Sequence, residues 1–176
     1  MAAEMGSWRR NTTTGASIGW RLLTGAVFGI IGSVVMGMFA MVVALMMQGD
    51  FWMPLKGIAA TFLGEAAMQP GFAAGPILVG AIFHMMNGAW LGALFGLITP
   101  RLSLTWSIVA GLVFGFVEAL GALWVVVPLV NPVMAKMISL DAPWIIEHLL
   151  FGLVLGLYPL ARDWGWFGGS QPDHIV

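Results

Sequence analysis

The run from Leu22 to Met47 contains no charged residue, and that run limits the chain more than anything else in it. A bilayer core requires about 20 apolar residues in a helix, and this segment exceeds that length. In lipid every backbone N–H and C=O must be bonded within the protein, so such a segment crosses as a helix. Of the 176 residues, 60% are hydrophobic and 9% charged. Soluble domains carry about 25% charged residues, so the expectation is an integral membrane protein.

Three more apolar stretches follow. The sequence predicts spans over about 20–47, 76–98, 104–127 and 144–160, the last near the lower length limit for crossing. Residues 1–17 read as a cytoplasmic segment, 18–160 as one membrane domain and 161–176 as a cytoplasmic tail. The first span ends without a small-residue cleavage site, so it reads as uncleaved. Asp50, Trp52, Pro54, Lys56 and Glu65 interrupt the first connection. Within it, Leu55 to Ala67 is too short to span and reads as an interfacial helix. Pro128, Asn131 and Pro132 are expected to break the third span. With the N-terminus inside, Arg9, Arg10, Arg21, Arg101 and Arg162 fall on the cytoplasmic side and Lys56 and Lys136 outside. Trp20, Trp106, Trp164 and Trp166 then mark the inner boundary, and Trp52, Trp124 and Trp144 the outer one. The expected location is a bacterial or archaeal inner membrane, with both termini cytoplasmic.

Small residues recur at helical spacing. Gly25, Gly29, Ser33 and Gly37 form one stripe, and His84, Gly88, Gly92 and Gly96 form another. The second pattern returns as His148, Gly152 and Gly156. The first returns as Gly111-Leu-Val-Phe-Gly115, which matches Gly25-Ala-Val-Phe-Gly29. Small residues at such spacing let helix backbones approach in lipid, where no water-driven force brings them together. The chain therefore reads as all-α, a four-transmembrane-helix bundle. It is a tandem repeat of two two-helix units, each a small-residue helix, a Pro-started connection (Pro54, Pro132) and a His-Gly-Gly helix. Two spans per unit give both copies one orientation, a parallel repeat.

The twofold His-x-x-x-Gly-x-x-x-Gly pattern and the Pro-initiated segment resemble small four-span bacterial and archaeal membrane proteins of uncharacterised, domain-of-unknown-function families. The resemblance covers about residues 20–160. It implies the four-helix fold and no activity.

Ionisable groups in a span are costly and mark function by default. Here they are His84, Glu118, Glu147 and His148, with Asn87 as a polar neighbour. At ~1.5 Å per residue, His84 lies about 12 Å, His148 about 8 Å and Glu118 about 14 Å from the outer ends of their helices. Three of the four helices thus bring ionisable groups to the outer half of the bundle, where they could meet. Three readings compete for this cluster. In the first it fixes helix register in a non-catalytic accessory subunit, whose partners are lipid and other membrane subunits. In the second, His84 and His148 are axial ligands of a b-type haem, with Gly88 and Gly152 making room for the porphyrin. In the third, Glu118 lies in a path for a proton, metal ion or small solute. Glu147 and His148 are adjacent and diverge by about 100°, which weakens a shared metal site, and none is assigned.

Other classes find little support. A net charge of −1 argues against nucleic acid. The absence of cysteine removes disulfides and thiolate sites. No P-loop, His-Glu-x-x-His or paired catalytic motif is present, so no enzyme is expected. His174 reads as a solvated tail residue. The 24 glycines and 13 methionines suit close packing and irregular apolar gaps.

Overall fold

A computed structural model describes residues 18–99 and 101–163. Arg9, Arg10, Trp164, Trp166, His174 and the Arg162 side chain lie outside the described residues, so the expectations placed on them do too. Helix α1 is Ile18–Gln48, α2 Met53–Leu63 and α3 Ala74–Ile98. Helix α4 runs Leu104–Val130 and α5 Ala142–Gly156, the latter followed after a turn by a short helix, Tyr158–Asp163. No strand occurs among the described residues. Four helical stretches are long and apolar enough to cross a membrane: α1, α3, α4 and Ala142–Ala161.

Burial is inverted relative to a soluble bundle. The buried positions of α1 include Thr24, Gly25, Gly29, Gly32, Ser33 and Gly37, while Ile30, Ile31, Val34 and Met38 are exposed. Large apolar groups face outward and small ones inward, as lipid favours. The seams follow from this. A Cβ on Gly25 would land on the Gly92 carbonyl, and one on Gly29 on the Gly88 carbonyl, so α1 and α3 touch backbone to backbone. Helices α4 and α5 do the same: Gly111 meets the Gly152 carbonyl, and Gly115 the His148 carbonyl. Helix α1 also packs on α5, with Gly32 against the ring of Phe151. Phe95, Phe151 and Leu155 fill the centre between the pairs, and Phe95 meets Phe114 edge-on. Half of the apolar window of the fourth span is buried, against 17% for α3 and α4. Helix α5 is therefore the innermost.

The two sequence matches do not share one packing register. If Gly25 and Gly29 are matched to Gly111 and Gly115, the position of Gly88 corresponds to His148 and not to Gly152. If His84 is matched to His148, then Gly29 and Ser33 correspond to Gly111 and Gly115. A stripe with four-residue spacing matches itself after a slip of one turn, so sequence similarity alone is blind to the slip.

The connections at one end, here the broad end, hold most of the polar structure. Gly49 (φ 74°) ends α1 and Gly64 (φ 60°) ends α2, both in the left-handed region that glycine enters without strain. Asp50 accepts from Trp52 N–H ahead of α2, and Asp141 accepts from Trp144 N–H ahead of α5, with Pro54 and Pro143 in the first turns. A 3₁₀ segment, Gly64–Met68, follows α2, and α2 packs on α3, where Gly80 admits the Leu55 carbonyl. Lys56 is fully buried and donates to Asp50, to the Gln69 carbonyl at 2.6 Å and to the Gly71 carbonyl at 3.1 Å. Asn131 precedes a single turn, Pro132–Ala135, and donates to the Gly57 carbonyl and Thr61 Oγ1, tying the second connection to α2.

Two expectations fail here. Pro128 does not end the third span. It has no N–H for the Trp124 carbonyl and its ring crowds that group, and the helix widens to a π-turn over Ala122–Val126 and continues to Val130. Trp144 is no boundary residue: it is 8% exposed, and its indole N–H donates to the Ala119 carbonyl at 3.1 Å.

Candidate functional site

Helix α4 presents Glu118 one turn before its π-segment, and α5 presents Trp144, Glu147 and His148 in its first two turns. The seam that holds them is the Gly111–Gly152 contact, which brings the two backbones close enough for short side chains to meet. His148 is 1% exposed. Its Nδ1 is 2.7 Å from the Trp144 carbonyl, which can only accept, so Nδ1 carries a proton. Its Nε2 is 3.1 Å from Glu118 Oε2. One further proton sits between those two atoms, either on the acid, donating to neutral imidazole, or on imidazolium, donating to carboxylate. In both forms the pair is neutral overall, which suits a site with little water.

Glu147 lies on the other side of His148, with Oε1 3.6 Å from Nδ1. That Nδ1 proton is already given to Trp144, so the contact is electrostatic and no hydrogen bond. The Trp144 ring packs on the imidazole, centroids 4.4 Å apart and tilted by 45°. Glu147 also lines a partly open cavity of about 150 Å³ at the broad end, between the last turns of α1, the start of α2 and residues 134–147. The arrangement can hold a proton between Glu118 and His148, and passing one on to Glu147 requires the imidazole to give up its bond to the Trp144 carbonyl. No group of three or more His, Cys, Asp or Glu residues with metal-holding geometry occurs among the described residues.

His84 lies within electrostatic reach of His148 but bonds a different partner, and Asn87 lies apart. His84 Nε2 donates to the Ser33 carbonyl at 3.0 Å and lies over Gly37, within the α1/α3 seam. It makes no direct bond to Glu118 or His148. Asn87 is exposed on the outer face of α3, and so leaves the proposed polar cluster. Residue 87 is three past His84, and rotation toward the Gly88–Gly92 seam turns it outward. Gly88 and Gly152 are filled against Gly29, Ser33 and Gly111, so the room the haem reading requires beside them is occupied by helices of the same chain. Each imidazole Nε2 is aimed at a protein oxygen.

Trp144 is the site residue that the sequence analysis missed. Its signal was its spacing, four residues before His148 on the same helical face. The chain matches no family model, no curated protein and no solved structure.

Proposed function

We propose that this chain is a non-catalytic, multi-pass subunit of a larger membrane assembly, docked through the outer face of α3. The observation that carries the reading is Asn87. The residue is 13 positions into a 25-residue span, about 20 Å from its start at ~1.5 Å per residue, and it is exposed. An amide facing hydrocarbon costs a few kcal/mol unless something bonds it, and a helix of another subunit supplies such a bond. Met86 (63% exposed) and Trp90 (64%) share that face. Indoles settle near headgroups, so Trp90 at mid-span equally suits a protein neighbour.

The finer architecture belongs to the same proposal. The chain is a tandem duplication of an α1/α3-type unit with parallel orientation, α2 lies at the outer membrane interface, and the broad end faces out of a bacterial or archaeal inner membrane. Arg21 and Arg101 at the opposite end support that orientation. Purification in mild detergent is expected to recover a stoichiometric partner, and Asn87→Leu is expected to release it while leaving the chain folded. A lone, monodisperse protein unaffected by Asn87→Leu would overturn the reading.

A second reading has its own support. The line Glu147–His148–Glu118, starting at a cavity, suits a proton path. On this reading Glu118→Gln abolishes acidification of vesicles carrying the protein. Unchanged flux in that variant, with the protein inserted, would exclude Glu118 from any path.

A further inference from the structure

We infer that the cavity at the broad end binds a small methylated ammonium ion, with Glu147 as its counter-charge. The inference stands apart from the subunit reading. Two carboxylates line the cavity, Asp141 and Glu147. Asp141 is committed: Oδ1 accepts from Trp144 N–H and Oδ2 from Ser139 Oγ, both at 2.9 Å. Glu147 is 8% exposed and accepts no hydrogen bond, its nearest partner being the imidazole at 3.6 Å whose proton goes elsewhere. A largely buried carboxylate with no donor is costly as an anion, and Glu147 lines the cavity.

The wall sets the ligand class. Val43, Ala44, Met47 and Met134 make it mostly apolar, Gln48 and Ser139 add polar groups at its rim, and the largely buried Trp144 also lines it. A bare metal cation requires several converging oxygen ligands, and no group of three or more acidic or imidazole side chains placed to hold one occurs among the described residues. A methylated ammonium ion requires one negative charge, apolar contact and an aromatic neighbour, and no donor or acceptor beyond these. Size agrees: a cavity of about 150 Å³ holds a benzene-sized guest, and tetramethylammonium is of that class. The methionine thioethers are polarisable and adaptable, which suits a guest of this shape.

The test is calorimetric titration of tetramethylammonium chloride into the full chain in detergent micelles, with sodium chloride and tert-butanol as controls. Saturable one-site binding is expected for tetramethylammonium alone. Glu147→Gln should weaken it by about tenfold or more, the scale of a desolvated charge contact. Ala44→Leu, which fills the cavity and leaves the carboxylate intact, should abolish binding even if Glu147→Gln fails to fold. Absence of saturable binding in the wild-type chain would overturn the inference. So would equal binding of tert-butanol, which would make the cavity merely apolar, or undiminished binding in the Ala44→Leu variant.

Discussion

The α1/α3 pair and the α4/α5 pair are built on the same seam. In each, glycines at four-residue spacing bring two antiparallel backbones into contact, and in each a histidine sits in that contact. They differ in what the histidine meets. His84 gives one proton to the Ser33 carbonyl. His148 is held between a carbonyl, the Glu118 carboxyl and the Trp144 ring, with Glu147 beside it. The first pair shows that such a seam packs closely with one backbone-satisfied imidazole and no charge. The carboxyl groups of the second pair go beyond that minimum, so the two seams differ in charge and not in backbone packing.

The largest effects should be those that attack what the pairs share. Gly92→Leu and Gly152→Leu each drive a side chain into a facing carbonyl that cannot move without displacing its helix. Overpacking costs about 1–3 kcal/mol when side chains yield, and more is expected where backbone must. Both variants should fail to give a stable folded protein in detergent unfolding experiments, whereas Leu94→Ala, half-buried on another face, should cost less. If one glycine variant unfolds the protein and the other is tolerated, the two seams are not equivalent.

The next effect separates the pairs. His148→Ala leaves Glu118 without its proton partner in a mostly buried place, and breaking such a pair costs about 3 kcal/mol or more. His84→Ala removes one hydrogen bond to a carbonyl inside a membrane bundle, worth about 1 kcal/mol. Unfolding of both variants side by side tests the contrast, and equal losses would erase it. A smaller cost is expected for Asn131→Ala. That change frees the Gly57 carbonyl and removes the tie between the second connection and α2, for about 1–2 kcal/mol. The loss should appear as faster amide exchange in both connections at once.

Much of this was legible in the chain, for definable reasons. Span number and limits follow from hydropathy and length, which need no tertiary information. The small-residue stripes follow from spacing. What sequence could not supply is rotation and register. Asn87 and His84 are three residues apart and lie on one side of α3 by spacing, yet packing against α1 turns one inward and the other out. The one-turn ambiguity between the two sequence matches has the same origin. Pro128 looked like a stop because the rule for proline assumes an α-helix, and a π-turn relieves the clash. The Lys56 anchor was invisible because two of its three acceptors are backbone carbonyls, at Gln69 and Gly71, which carry no residue signature. Trp144 was misplaced because an indole near a span end has two good destinations, the headgroups or a buried acceptor, and only the Ala119 carbonyl decides between them.

The smallest expected effect concerns the connections, and it sharpens the comparison at its polar end. Both connections place an aspartate ahead of a helix, but Asp50 is also held by the buried Lys56 ammonium. The hydrogen bond from Lys56 is the main cause that keeps the Asp50 carboxyl below the ordinary aspartate value of 3.8, with the Trp52 and Gly71 amides adding to it against the opposing effect of burial. The sign follows from linkage. Below 3.8 the unfolded chain takes up the proton first, so the folded form loses stability as pH falls through the lower, folded value. Above 3.8 the contribution is fully present. Amide exchange at Trp52 and Gly71, whose N–H groups donate to this carboxylate at 3.0 and 3.2 Å, should therefore accelerate as acid is added. Asp50→Asn should remove that acid dependence, since the amide cannot be protonated in this range. The α1/α3 seam contains no carboxyl group, so the amide at Gly92 should keep its protection through the same titration. Loss of protection at Gly92 in step with Trp52 and Gly71 would mean that the first connection and the bundle unfold as one unit.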